Sequence, residues 1–212
     1  MPSSLIHLMI ADLFAKSHSG TERCVGSLPD FLLGSIAPDA VNIGVGMAPQ
    51  EVRYRAHLRS RDIGEWLENI HTYRLGHEEE FADRPDLLKG VLMHLFTDIA
   101  WDNTVQPFLF DRMLASGIPR NELSRRKWAE LSKLEDILLT LPYTPPILAE
   151  LKKAVPRAVT SVTAEQLTDW QSEVLRRYEH VPAAPVPGIL DANVIFTALN
   201  DADELMKNEL AQ

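Results

Sequence analysis

Apolar residues recur at helical spacing along nearly the whole chain, and no convincing run alternates apolar and polar residues as a half-buried strand would. From Leu5 to Phe14 this spacing predicts a first helix. Residues 17–30, with Ser, Gly, Thr and Pro, predict a loop, and Phe31 to Ile36 a short apolar turn ended by Ala37, Pro38 and Asp39. Residues 40–50 hold Gly44, Gly46 and Pro49 and predict a second loop. Val52 to Phe81 reads as polar-rich helix with a break near Gly64 or Gly76. The clearest helix follows. Asp83 is placed to cap it, Pro85 lies near its first turn, and Leu88, Val91, Leu92, Leu95 and Ile99 form one apolar stripe. Further helices are predicted over 120–140, 146–155, 164–180 and 189–210, with Thr163 and Gln166 forming a capping box for the third. Prolines such as Pro142, Pro145, Pro182 and Pro185 punctuate the connections. The pattern predicts an all-α, multi-helix bundle in one domain over residues 1–212, with 106–212 as helical scaffold.

Composition narrows the function classes. The chain has 212 residues, 45% of them hydrophobic and 24% charged, enough to bury a core and hold a site inside it. Its formal net charge of −9 repels polyanions, which makes nucleic acid an unlikely partner. A local exception is the run holding Arg53, Arg55, Arg59 and Arg61. It reads either as a solvated helix face or as a phosphate-binding patch, with Arg55 and Arg59 as the candidates. The single cysteine, Cys24, cannot form an internal disulfide and is compatible with a reducing compartment. The N-terminal apolar run has no basic start and is broken by His7 and Asp12, so it makes a poor signal peptide. No stretch approaches the ~20 apolar residues of a membrane span. The expectation is a soluble, cytoplasmic protein with no membrane insertion.

The candidate chemistry starts at His94-Leu-Phe-Thr-Asp98. Residues four apart share a helix face, so an imidazole and a carboxylate there can hold one metal from one rigid element. The pair lies at the edge of the apolar stripe, and Asp102 is one turn further along. Such groups are costly to bury unless paired or metal-bound. The alternative is a His–Asp hydrogen bond packed in the core. Asp39 ends a short apolar segment, which suits an inward-pointing carboxylate; otherwise Pro38-Asp39 is simply a turn. His57 reads as a ligand or as a surface histidine beside arginines, and His7 as a ligand or a satisfied core histidine. His18, His77 and His180 read as surface. His71 lies about 21 Å along a continuous helix from His57 and shares its metal only if that helix breaks.

The order of these segments resembles the zinc-dependent phospholipase C superfamily, which also contains single-strand nucleases. The resemblance rests on His7, Phe31-Leu-Leu-Gly-Ser-Ile-Ala-Pro-Asp39, His57 and Gly90-Val-Leu-Met-His94-Leu-Phe-Thr-Asp98-Ile-Ala-Trp-Asp102, and covers residues 5–105. It implies an all-α fold with a metal site between helices and phosphoester hydrolysis. Carried over by position, Asp39, His57, His94 and Asp98 hold one zinc, and Asp98 bridges to a second with His7. The chain departs from the family pattern in having extra residues before His7 and no histidine between His94 and His180. One or two ions are therefore expected rather than three, zinc first, with manganese or iron as alternatives. Asp102 would serve as an additional ligand or as a hydrogen-bond partner of one.

The expected activity is hydrolysis of a small-molecule phosphoester by metal-activated water, with Asp39 orienting or deprotonating that water. Two alternatives stand beside it: a non-catalytic, metal-stabilised helical protein, and a nuclease acting on single strands. A hydrolase of the HD type would need an adjacent His-Asp pair, which the sequence lacks.

Overall fold

The computed structural model describes residues 2–20 and 25–211, so Cys24 lies outside the described residues. Among these residues the fold is all-α, with ten α-helices and no strand beyond an isolated bridge between Val159 and Val162. The helices are α1 (Ser4–Ser17), α2 (Leu28–Gly34), α3 (Gln50–Ala56), α4 (Ile63–His77), α5 (Pro85–Ala100), α6 (Gln106–Ala115), α7 (Leu123–Leu139), α8 (Thr144–Leu151), α9 (Ala164–Arg177) and α10 (Asn193–Leu210). Among the described residues no helix is long and apolar enough to cross a membrane.

Helix α5 is the axis of the molecule. Nearly all of it is buried, and it packs against α1, α2, α4 and α10. Its closest neighbour is α2, and two glycines explain why. A Cβ on Gly90 would lie 2.2 Å from the Phe31 carbonyl oxygen, and one on Gly34 would lie 2.3 Å from that of Leu87. Only glycine at both positions lets the backbones touch. The Asp86 carboxylate adds a second tie, accepting from the Gly26 and Ser27 amides at 2.9 and 2.6 Å.

Several boundaries differ from the sequence expectation. The helix expected over 52–81 breaks at His57–Asp62, where Leu58 adopts a left-handed φ of 50°. Asp62 then caps α4 by accepting from the Glu65 amide at 2.9 Å. Asp83 does not cap α5: its carboxylate binds Arg157 at 2.7 Å, and Arg84 takes the cap position without a side-chain bond. Pro85 does open the helix, and Thr163 and Gln166 do form the capping box of α9. After Ala100 the chain widens into a π turn, Trp101–Val105, before α6. Pro107 has no N–H for the carbonyl four residues back and would crowd it; the wider turn absorbs that misfit.

The two halves share one core. Helix α10 returns to pack on α1 and α5. It is pinned by Glu209, which accepts from the Arg74 guanidinium and from His71 Nδ1, the latter at 3.0 Å. His71 is thereby an α4–α10 tie and not a ligand candidate. His18, expected at the surface, is buried: its ring stacks on Phe14, its Nδ1 donates to the Phe14 carbonyl at 3.0 Å, and its Nε2 lies 3.4 Å from Asp203. His180 is exposed as expected, and His77 is half-buried.

Candidate metal centre

Five side chains from four segments converge at the crossing of α1 and α5. His7 comes from α1, Asp39 from a short 3-10 turn (Ala37–Asn42), His57 from the end of α3, and His94 and Asp98 from α5. All five are buried. Asp98 is the hub. Its Oδ1 lies 3.6 Å from His7 Nε2, and its Oδ2 lies 3.7 Å from His57 Nε2 and 3.9 Å from His94 Nε2. Asp39 Oδ1 is 3.3 Å from His57 Nε2. The His7 and His94 rings stack with centroids 3.9 Å apart, and His57 tilts against His94 at 5.1 Å.

The backbone fixes the tautomers. His94 Nδ1 lies 2.8 Å from the Ser35 carbonyl oxygen, and His57 Nδ1 lies 2.8 Å from that of Arg53. A carbonyl only accepts, so both Nδ1 atoms carry a proton and, in the neutral rings, both Nε2 atoms turn a lone pair inward. A histidine that ligates a metal is oriented in this way, by a hydrogen bond from its other nitrogen. Ser35 immediately follows Gly34, so the close α2–α5 crossing is what brings its carbonyl to His94.

At His57, His94 and Asp98 the result, with neutral rings, is acceptor facing acceptor. His7 Nδ1 and Nε2, His57 Nε2, His94 Nε2 and both Asp98 oxygens are buried without a hydrogen-bond partner. Leaving such groups unpaired costs about 1–3 kcal/mol each. A cation among them removes the mismatch at one stroke. The donor atoms of His7, Asp39 and His94 lie within 4.8 Å of one another, as do those of His57, His94 and Asp98. The residues present thus fit a metal ion: imidazole nitrogens and carboxylate oxygens, already desolvated and aimed together.

Protonation follows from burial and neighbours. Burial pushes His94 down to about 3, with His7 adding to the effect and the Asp98 and Asp39 carboxylates only partly offsetting it, so its lone pair is open near neutral pH. Burial opposes ionisation of Asp98, yet the His7 imidazole beside it, with His94 and His57, holds it well below the carboxylate range. Asp39 is likewise lowered: burial raises it, and His57 beside it more than compensates. Burial lowers His57, but Asp39 and Asp98 together leave it above its ordinary value.

Two members of the cluster meet a cavity. Asp39 and His57 line a cavity of about 800 Å³, while His7, His94 and Asp98 sit behind them. Asp102 and Arg59 also line this cavity but are joined to each other at 2.5 Å, Asp102 Oδ2 accepting from the guanidinium. Arg59 also lies over the Trp66 ring, 4.6 Å from its centroid. Asp102 therefore stands outside the donor groups and serves to hold Arg59. Arg55, a candidate phosphate ligand on one of the two readings of the arginine run, is exposed and does not line the cavity; Arg53 does. The half expected to be plain scaffold supplies much of the wall, through Gln106, Lys127, Trp128, Trp170 and Arg177. Nothing in the spacing of these residues marks them, because they come from three separate helices.

No family model, curated protein or solved structure matches the chain. The reading of the site therefore rests on its own geometry and chemistry.

Proposed function

We propose that this chain is a metal-dependent phosphoester hydrolase, a reduced relative of the zinc-dependent phospholipase C superfamily. The observation that supports this best is the set of unpartnered donors of His7, His57, His94 and Asp98, joined through His57 and Asp39 to a cavity that also holds Arg53, Arg59 and Lys127. A site that joins metal donors to fixed cations suits an anionic ester.

His7, Asp39, His57, His94 and Asp98 would hold the ion. His94 belongs to both donor groups, yet it has one free lone pair, its other nitrogen being bound to Ser35. The two groups therefore describe one ion rather than two. A second ion on the far side of Asp98 would have only Asp98 Oδ1 and His7 as donors. Imidazole and carboxylate together suit zinc, with manganese or iron as alternatives. The chemistry a bound ion supplies is that of a Lewis acid: hydroxide becomes available near neutral pH, and charge building on phosphoryl oxygens is offset.

The protein groups do the rest. Asp39 is the carboxylate of the cluster that reaches the cavity, and His57 keeps it ionised. It orients an entering water and accepts its proton. His57, locked by the Arg53 carbonyl, fixes Asp39 from the side. The enclosed position of His7, His94 and Asp98 keeps bulk water from the far side of the site.

That same enclosure favours a second reading, in which a metal only stabilises the fold. Two measurements separate them. Metal analysis of the purified protein should give one ion per chain, and His94→Ala and Asp98→Ala should each lose it. A chromogenic phosphodiester should then be hydrolysed by the wild type and not by Asp39→Asn. Bound metal without hydrolysis across a broad ester panel would establish the stabilising role and end the hydrolase reading. Full metal content in His94→Ala would end both.

A further inference from the structure

The four cations lining the cavity are not equivalent. Arg59 is spent on Asp102 and on the Trp66 ring. Arg177 lies 3.7 Å from Glu173. Arg53 gives its Nε to the Ala48 carbonyl at 3.0 Å, bracing the segment whose own carbonyl anchors His57. Lys127, on α7, differs from the two paired arginines, Arg59 and Arg177, and, unlike Arg53, braces no segment of the metal-donor cluster. Its Nζ donates to the amide oxygen of Gln106 at 2.8 Å, and no carboxylate stands within ion-pair distance among the described residues. The stem is half-buried, and Nζ lies 5.0 Å from the centroid of the Trp128 ring.

A partly desolvated ammonium without a counter-ion is a standing cost. Burial lowers its affinity for its proton, and the Asp102 and Asp98 carboxylates, felt across the cavity, only partly restore it. An ammonium has three donors, and Gln106 takes one. The other two, held in the cavity that Asp39 and His57 also line, have no protein acceptor among the described residues.

We propose that Lys127, held in place by Gln106, is an anion-binding subsite that receives the phosphoryl oxygens of an anionic ester. This rests on the hydrolase reading for its substrate class, though not for its geometry. The subsite makes the cavity selective for charged phosphoesters over neutral carboxylic esters of the same size. Lys127 is a point charge that tolerates several phosphoryl orientations, which a paired arginine does not.

Inorganic phosphate is the probe. Calorimetric titration of zinc-loaded protein should show phosphate binding in the wild type and at least about tenfold weaker binding in Lys127→Gln, equivalent to about 1.4 kcal/mol. Lys127→Arg should restore most of it, and all three proteins should carry the same zinc content. Phosphate should also slow acetylation of Lys127 in the wild type, read by peptide mass, relative to Lys152 and Lys153. This second measurement needs no variant to fold. Unchanged phosphate affinity in Lys127→Gln, or acetylation of Lys127 indifferent to phosphate, overturns the subsite. The two readings fail separately: loss of phosphate affinity in Lys127→Gln without turnover of any ester sinks the hydrolase and keeps the subsite. Normal hydrolysis with unaltered phosphate affinity in Lys127→Gln does the reverse.

Discussion

At the scale of the residue, the centre is decided by where protons sit. His94 has an ordinary value of 6.5 and is pushed to about 3 by burial. In the unfolded chain it takes up a proton as pH drops below about 6.5, while in the folded chain it does not. Its contribution to stability is therefore complete above that pH and is lost progressively as pH falls toward 3. His57, raised by Asp39 and Asp98, works in the opposite window: its contribution is complete below about 6.5 and fades as pH rises through its elevated value. The urea midpoint of the chelator-treated protein should accordingly fall between pH 7 and pH 5, and His94→Gln should flatten that fall. An equal slope in the variant would assign the acid sensitivity elsewhere. His94 and Asp98 were legible in the sequence because i,i+4 spacing on an apolar helix fixes a shared face whatever surrounds it. The destinations of Asp102 and Arg59 were not, since they depend on each other across forty-three residues of chain.

At the scale of the element, the contact between α2 and α5 carries the site. Gly34 and Gly90 let the two backbones meet, and Ser35 then reaches His94. Gly90→Ala places a methyl group against the Phe31 carbonyl, which is backbone and cannot turn away. The helices must separate, at a cost of about 3 kcal/mol, the upper part of the usual overpacking range. Urea unfolding should record that loss, and metal analysis should record weaker retention of the ion as His94 loses its anchor. A variant as stable as the wild type would mean that the crossing is looser than its geometry. The sequence carried both glycines, but an isolated glycine in a helical pattern does not say which backbone it approaches. The short helices α2 and α6 were likewise hidden, the first beneath a Ser- and Gly-containing stretch and the second behind Pro107 and the π turn.

At the scale of the whole molecule, the C-terminal helix closes the structure over the metal-site half. Glu209 is buried against Arg74 and His71, so α10 is bound to α4 by charge as well as by its apolar face. Removing one member of a buried pair leaves the other charge uncompensated, at about 3–5 kcal/mol. Glu209→Gln should therefore lower the unfolding free energy by several kcal/mol, approaching that range, while metal content at saturating zinc stays at the wild-type level. Loss of the ion in that variant would show that α10 holds the cluster itself and not only the bundle. The division into a chemical half and a scaffold half, natural along the sequence, dissolves in space: α7 and α9 wall the same cavity as α3 and the start of α1, with His94 and Asp98 of α5 behind Asp39 and His57.

The sequence by itself determined the all-helical architecture, the capping box of α9, and the face of α5 from which His94 and Asp98 project. These follow from periodicity and i,i+4 spacing, which are local and survive any tertiary arrangement. Only the tertiary structure decided that the Ser35 and Arg53 carbonyls set the imidazole tautomers, that Asp102 is joined to Arg59, that His18 is buried, and that Lys127 lines the cavity without a counter-ion. Each of these depends on contacts between segments far apart in the chain, made when apolar faces pack, and the spacing of residues along one segment holds no record of them.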